Sequence, residues 1–135
     1  MNLSRNDSRM LAMTIIYQIE LCKKKKIDYS KEELLTEYSE VMNDFANNLI
    51  DGVLEHDEEL VNIANKYLNN WNISRLGLTD AAIIKIAIYE LIYTDTPKKV
   101  CIDEAIELAK DYSDEKVVGM INGVLDKVYH EYKNN

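Results

Sequence analysis

The first apolar-periodic segment contains two residue types, Arg9 and Tyr17, that could contact a nucleic acid. The apolar stripe of this segment is centred on Leu11, Ile15 and Ile19. On a helix, Tyr17 falls about 170° from that stripe, on the same half as Arg9. A tyrosine ring can stack on a base of a single strand, and a guanidinium beside it can bind phosphate. A wider buried arc would place Tyr17 partly in the core, and the spacing leaves both interpretations open.

The last apolar-periodic segment carries a second line of side chains away from its core side. Lys116, Met120, Gly123 and Lys127 stand at i, i+4, i+7 and i+11. Two lysines beside an exposed methionine fit an anionic partner, although ordinary solvated surface has the same composition. Glycine inside a helix costs about 1 kcal/mol, so Gly119 and Gly123 indicate a packing or a binding reason without choosing between them.

The sequence contains no recognisable catalytic or metal-binding constellation. The two histidines, His56 and His130, and the two cysteines, Cys22 and Cys101, are too far apart for the usual spacing of zinc ligands. The glycines form no phosphate-binding loop, and no serine or cysteine has a recognisable base beside it. The acidic run at 55–59 lacks the ligand order of an EF-hand. We therefore expect no enzymatic activity, no metal site and no cofactor.

Composition favours one helical domain over residues 1–135. The chain has 135 residues but only 4 glycines and 1 proline, far fewer than the turns of a β-sandwich or barrel require. Apolar residues make up 47% and charged residues 30%, which excludes extensive disorder. No apolar run approaches the ~20 residues that span a bilayer, and the start lacks the pattern of a signal peptide. The two cysteines fit reduced thiols in a cytoplasmic protein.

Apolar periodicity predicts a compact all-α bundle of six or seven helices. The first helix should cover residues 6–22, followed by the lysine run 23–26 as a loop. The segment 80–93 is apolar nearly all round, which is typical of a central buried helix. The other predicted features are N-caps at Ser30, Thr79, Asp103 and Ser113, a helix over 103–110, a last helix over 114–132, and Trp71 packed onto the core.

The net charge of −8 is unevenly distributed along the chain. Residues 1–26 hold six basic and two acidic side chains, a net charge of +4, whereas residues 27–135 hold 10 basic and 22 acidic ones, a net charge of −12. A basic N-terminal segment followed by an acidic chain suggests a polyanionic partner near the N-terminus and a basic partner elsewhere on the surface. A solvated acidic surface with one lysine-rich loop, without any specific partner, would give the same charge distribution.

Six short blocks, in order along the chain, connect the sequence to a known family. They are RMLAMTIIYQIE (9–20), LIDGVLEHDEEL (49–60), WNISR (71–75), DAAIIKIAIYEL (80–91), VCIDEAIELAK (100–110) and MINGVLDK (120–127). In these blocks the sequence resembles the NusB family of bacterial transcription antitermination and ribosomal-RNA synthesis factors. The resemblance implies an all-α fold of two packed three-helix subdomains plus an extra helix. It also implies binding to the single-stranded boxA element of nascent RNA together with NusE, a small-subunit ribosomal protein, within the transcription elongation complex of RNA polymerase and other Nus factors.

The resemblance places several residues on the family's N-terminal RNA-binding helix. Arg9, Tyr17 and Gln18 match this helix, and Arg5 is the only other arginine of a cluster that is usually more basic. We therefore expect the isolated protein to bind RNA weakly and the heterodimer with NusE to be the effective RNA binder.

The resemblance assigns three further positions, two to RNA and one to the partner. The region from Lys116 to Met120 matches a second part of the RNA surface, where Met120 replaces the usual Phe. A thioether can pack on a base but cannot stack as a ring does. Asp80 matches an acidic position of the interface with NusE, and the arginine that usually follows it is Ala81 in this chain.

Two other readings of the sequence stay open at this point. One is a helical protein-interaction adaptor with weak or no RNA binding, which the acidity and Met120 would permit. The other is a homodimer that covers the RNA surface, as in some members of the family. Similar domains are also attached to RNA methyltransferases, but nothing in this sequence resembles a site for a methyl donor.

Overall fold

The computed structural model describes residues 3–69 and 71–132, and within them the chain forms seven α-helices and no strand. The helices are α1 (Arg5–Lys25), α2 (Lys31–Thr36), α3 (Asp44–Glu55), α4 (Asp57–Tyr67), α5 (Leu78–Tyr93), α6 (Lys98–Tyr112) and α7 (Glu115–Tyr132), with one turn of 3-10 helix at Ile73–Arg75. The predicted all-α bundle is therefore confirmed. None of the helices in the described ranges is both long and apolar enough to cross a membrane.

Helix α5 is the centre of the fold. Every residue from Ala82 to Leu91 is buried, because α5 packs against α1, α3, α4, α6 and α7. Helices α1, α2 and α3 form one three-helix subdomain, and α5, α6 and α7 form the other. Helix α4 is the extra helix and packs against α5 and α7. This enclosure explains why α5 is apolar on all sides. Burial of each Ile or Leu side chain contributes about 1.5–3 kcal/mol to the free energy of folding.

Two charged residues in α5 are buried with partners from other helices. Lys85 is 2.7 Å from an Asp57 carboxylate oxygen and 4.0 Å from Glu20. Glu90 is bonded to Arg9 of α1. These pairs fix the orientation of α5 relative to α1 and α4, because a buried charge requires a compensating partner.

Helix α1 is longer than the apolar pattern predicts, and the prediction of a lysine loop was wrong. Lys23, Lys24 and Lys25 form the last helical turn, and Lys26 ends the helix in the left-handed conformation with φ 57°. Cations at a helix C-terminus are stabilised by the negative end of the helix dipole, which favours extension of α1 through these lysines.

The predicted N-caps were only partly correct. The Ser30 hydroxyl accepts a hydrogen bond from the Glu33 N–H at 3.3 Å, which confirms the cap of α2. Thr79 lies inside α5, whose cap position is Gly77. Helix α6 begins directly after Pro97, so Asp103 lies in its interior and caps nothing. Ser113 ends α6, and Asp114 caps α7 instead by accepting from the Val117 N–H at 2.9 Å.

Candidate nucleic-acid interface

The outer face of α1 presents Tyr17 to solvent. Its side chain is 36% exposed, and the exposed Met10 lies two turns earlier on the same face. The core side of α1 carries Ile15, Ile16 and Ile19, all fully buried. Of the two orientations that the sequence left open for Tyr17, the structure has the outward one, so the ring is accessible to a ligand.

Arg9 does not share this exposed face, so its predicted outward orientation was wrong. It is only 4% exposed, and its guanidinium donates from Nε and Nη2 to the two Glu90 carboxylate oxygens at 2.6 and 2.7 Å. Its Nη1 donates to the Asn6 amide oxygen at 2.9 Å. Burial alone would lower the pKa of Arg9, but the hydrogen bonds and charge of Glu90 outweigh it and raise that pKa above its ordinary value. Each of the three guanidinium nitrogens therefore donates within the protein, and almost none of the side chain is accessible to a phosphate.

Arg5 and Gln18 differ in how far they reach solvent. Arg5 is exposed, and its guanidinium carbon lies 4.7 Å from the centroid of the Phe45 ring, which positions the cation without neutralising it. Gln18 is partly buried. Its amide oxygen is inaccessible and has no hydrogen-bond partner among the described residues. As arranged, that oxygen cannot accept a hydrogen bond from an external ligand.

A groove along α7 brings Lys116 and Met120 together with residues from the connector before α5. Its volume is about 550 Å³, within the range of about 300–1,000 Å³ that is typical of ligand sites. The aromatic rings of Tyr67 and Trp71 line it opposite α7. The full lining is Tyr67, Leu68, Asn69, Trp71, Leu76, Asp114, Lys116, Val117, Met120, Gly123, Val124 and Lys127.

Trp71 is the site residue that the sequence analysis misassigned. It is 49% exposed, whereas Ile73, two residues later, is 5% exposed and holds the connector on the core. A tryptophan in a link rich in asparagine and serine is a signal for an exposed ring, because such a link has little apolar surface to cover it. The 3-10 turn that buries Ile73 leaves Trp71 on the wall of the groove.

The two glycines of α7 have no packing role among the described residues. A Cβ atom added at Gly119 or at Gly123 would meet no heavy atom within 4 Å. A packing reason, one of the two that the sequence left open, is therefore excluded for both glycines within the part of the chain that the structure describes. Gly123 lines the groove, and Gly119 does not.

Asp80 lies in the first turn of α5 and contacts the junction between α6 and α7. Its carboxylate accepts a hydrogen bond from the Ser113 hydroxyl. Nearby on α6, the acidic residues Glu104, Glu107 and Asp111 line a cavity of about 180 Å³ against the start of α1. Only Glu107 of these three is paired, with Lys110 at 3.1 Å. We refer to Asp80 together with these three acidic residues of α6 as the acidic edge.

The predicted RNA-binding residues are divided between two helices, α1 and α7. Helices α1 and α7 each pack against α5. Tyr17 and Arg5 belong to α1, whereas Lys116 and Met120 belong to the α7 groove. Within residues 3–69 and 71–132, no group of three or more His, Cys, Asp or Glu residues is arranged to hold a metal ion.

The helical bundle, the exposed tyrosine and the groove lined by lysines and aromatic residues are features that helical nucleic-acid-binding proteins use. The model of the NusB family matches residues 6–130, and the chain belongs to that family. The transcription antitermination protein NusB of Ligilactobacillus salivarius is 38% identical over 130 residues, which cover 95% of this chain and 99% of that protein. NusB of Halalkalibacterium halodurans is 38% identical over 135 residues, covering 97% of each chain.

Solved structures of the family have the same fold. T. maritima NusB superposes with a TM-score of 0.84 at 29% identity, covering 98% of this chain and 94% of that one. A chain in the crystal structure of the antitermination factors NusB and NusE with double-stranded RNA superposes with a TM-score of 0.79 at 27% identity. That match covers 95% of this chain and 97% of the other.

Proposed function

We propose that this protein is a cytoplasmic antitermination factor that binds boxA RNA jointly with NusE in the transcription elongation complex. The observation that carries the proposal is the α7 groove, which Lys116 and Lys127 line together with the exposed Trp71. A cationic groove with an aromatic wall is the usual way to bind a single-stranded nucleic acid. A relative of this chain has been solved as a complex of NusB and NusE with double-stranded RNA, which supports assembly of this chain with NusE and RNA.

The α1 surface supplies the second set of RNA contacts in this proposal. The exposed Tyr17 ring stacks on a base, and the exposed Arg5 binds phosphate. Arg9 makes no RNA contact in this proposal, because its guanidinium is bonded to Glu90 and Asn6. Gln18 contributes only through atoms other than its buried amide oxygen.

NusE, as a basic ribosomal protein, would dock at the acidic edge. Asp80 belongs to this edge, and its bond to Ser113 connects the start of α5 to the end of α6. The residues from 27 onward have a net charge of −12, which attracts a basic partner and repels RNA elsewhere on the surface. We further propose that residues 1–135 act as one domain, of which the family model covers residues 6–130.

Titration of labelled single-stranded boxA RNA tests the proposed function. We expect the mixture with NusE to bind at least about tenfold more tightly than the isolated protein, since each subunit adds cationic contacts and every phosphate contact contributes to affinity. Fluorescence anisotropy at several salt concentrations measures the affinity and its salt dependence. A scrambled RNA of the same length controls for general electrostatic binding.

The outcomes separate this function from the alternative of an interaction adaptor. Capture of NusE without any RNA binding, with the protein alone or in the mixture, would identify an adaptor. Equal RNA affinity with and without NusE would contradict the joint binding site. Asp80→Lys should weaken NusE capture, whereas Asp95→Lys, at an exposed position after α5, should leave it unchanged.

Tyr17→Ala is expected to cost about 1–3 kcal/mol of RNA-binding free energy, because it removes one base-stacking ring. The fold should tolerate the change, since the ring is 36% exposed. Anisotropy titration of the heterodimer measures the loss, and thermal unfolding checks that the protein remains folded. Tyr17→Phe keeps the ring and should retain nearly full affinity. Equal affinities of the alanine and phenylalanine variants would remove Tyr17 from the RNA surface.

A further inference from the structure

A second cavity, here called the α4 cavity, lies at the junction of α3 and α4. Its volume is about 460 Å³, within the range of about 300–1,000 Å³ that is typical of ligand sites. The end of α3, the first two turns of α4 and Tyr132 at the end of α7 border it. The α4 cavity shares no residue with the α7 groove or with the acidic edge. It is therefore a separate surface of the protein.

Aromatic rings form part of the α4 cavity. His56 and Tyr132 line it. The His56 ring stacks on the Tyr93 ring, with 4.3 Å between centroids and 20° between planes, and Tyr93 in turn stacks on the buried Tyr89. The Tyr93 hydroxyl donates to Glu59 at 2.5 Å. These contacts hold the His56 ring in place, so a planar group that stacks on it meets a preformed surface.

The charged lining of the α4 cavity is entirely acidic. Glu55, Glu58 and Glu59 line it and are exposed. Within the described part of the chain none of the three forms a salt bridge, and no lysine or arginine lines the cavity. The Lys98 ammonium is bonded instead to the carbonyl oxygen of Tyr132. Three carboxylates without a cation attract a positively charged ligand and repel the phosphates of a nucleic acid.

An arginine side chain fits these rings and carboxylates better than a lysine does. Its guanidinium is planar, stacks on aromatic faces and bonds to a carboxylate through two parallel N–H donors. A lysine ammonium is a point charge without such a plane. The apolar stem of an arginine can pack on Ile63, which also lines the cavity. The carboxylates extend from the end of α3 into α4, so they can attract more than one basic residue of a polypeptide.

We propose that the α4 cavity binds an arginine of a basic polypeptide segment, with the guanidinium stacked on His56 and bonded to Glu58. Glu55 attracts a neighbouring basic residue of the same segment. The inference goes beyond the proposed function, because it adds a protein-binding surface apart from the acidic edge. Asp80 lies thirteen residues before Tyr93 on α5, about 20 Å along the helix axis. The two surfaces can therefore bind different partners at the same time.

The two histidines of the chain provide a direct test by NMR, because His56 lines the cavity and His130 does not. A short blocked peptide of alternating arginine and glycine is titrated into the full chain at physiological ionic strength. We expect a saturable shift of the His56 ring signals alone. His130 is exposed beside Asp126, so equal shifts of both histidines would indicate general attraction to an acidic surface and would contradict a specific site.

The same peptide with lysine in place of arginine measures the contribution of the stacked guanidinium. We expect the arginine peptide to bind about two- to fivefold more tightly, the factor that a cation stacked on an exposed ring contributes. Both peptides carry the same charge, so general electrostatic attraction cancels in the comparison. Equal affinities of the two peptides would rule out the proposed stacking on His56.

The double variant Glu55→Gln with Glu58→Gln should weaken binding of the arginine peptide about fivefold, since it removes two carboxylates of the cavity. The double variant Glu37→Gln with Glu40→Gln is the matched control. It removes the same charge at exposed positions after α2 and should bind nearly as the wild type does. All four side chains are exposed, so both variants should unfold at similar temperatures. Equal losses of affinity in the two variants would overturn the site.

Addition of NusE distinguishes a separate site from an extension of the acidic edge. Saturating NusE should leave the affinity for the arginine peptide unchanged. Loss of peptide binding in the presence of NusE would assign the α4 cavity to the NusE interface and would refute this inference. Failure of NusE to bind the protein at all would overturn the proposed function alone, because the peptide titration does not depend on it.

Discussion

Replacing Arg9 by methionine is expected to lower the free energy of unfolding by about 3–5 kcal/mol, the usual cost of removing one partner of a buried ion pair. The RNA affinity of the molecules that remain folded should change little, because all three guanidinium nitrogens of Arg9 are bonded within the protein and the side chain is buried. Urea denaturation measures the stability, and anisotropy titration measures the affinity. A domain of this size has a total stability of about 5–15 kcal/mol, so the loss is a large fraction of it.

The size of the effect follows from what Glu90 would face without Arg9. The side chains of the pair are 5% and 2% exposed, so water cannot replace the lost bonds. The neighbouring Cys101 thiol cannot replace the lost cation, because the only charged form of a thiol is negative. Burial, with the charge of Glu90 adding to it, raises the pKa of Cys101 to about 12, so the thiol stays neutral. Glu90 would be left as an uncompensated buried carboxylate.

The double variant Arg9→Met with Glu90→Met is the matched control for charge. It removes both ions and should recover most of the lost stability, because a well-packed apolar pair often replaces a buried ion pair at little cost. A stable single variant whose RNA binding shows a weaker salt dependence would reverse this assignment. Arg9 would then be a phosphate contact that leaves Glu90 on binding.

The orientation of Arg9 was predicted wrongly because a helical wheel describes one segment and not the helices that pack around it. The wheel assumes a single core stripe, but α1 packs against both α3 and α5, so its buried arc extends to Ser8 and Arg9. The partner of Arg9 is 81 residues away along the chain, and no local pattern identifies it. The sequence did contain one usable signal, since Glu90 lies in the buried part of an apolar helix, where a charge requires a compensating partner.

Elements with strong periodicity were predictable, whereas helix ends and the groove were not. The central position of α5 follows from its apolar residues on all sides, and the structure buries every residue from Ala82 to Leu91. The start of α6 was missed because Asp103 resembles a cap. Burial of Cys101 and Ala105 extends the helix back to Pro97 instead. The groove combines Trp71 with side chains of α7 some fifty residues later, a contact that depends on the packing of the connector.

Gly52→Ala is expected to destabilise the protein by about 3 kcal/mol, the upper part of the usual range for overpacking a core. An added Cβ atom would lie 2.0 Å from Cζ and 2.2 Å from Cε1 of Tyr89, far inside contact distance. The ring cannot move away easily, since it stacks on Tyr93 at 5.3 Å between centroids and its hydroxyl donates to Asn48 at 3.2 Å. The better helix propensity of alanine, about 1 kcal/mol, offsets only part of this strain.

Chemical denaturation of four proteins isolates the contact between Gly52 and Tyr89: the wild type, Gly52→Ala, Tyr89→Leu and the double variant. Removing the ring creates room for the new methyl group, so Gly52→Ala should cost much less in the Tyr89→Leu background. Gly119→Ala, at an open helical position, should be neutral or stabilising by up to about 1 kcal/mol. If Gly52→Ala costs the same in both backgrounds, the packing of α3 against α5 does not depend on this close approach.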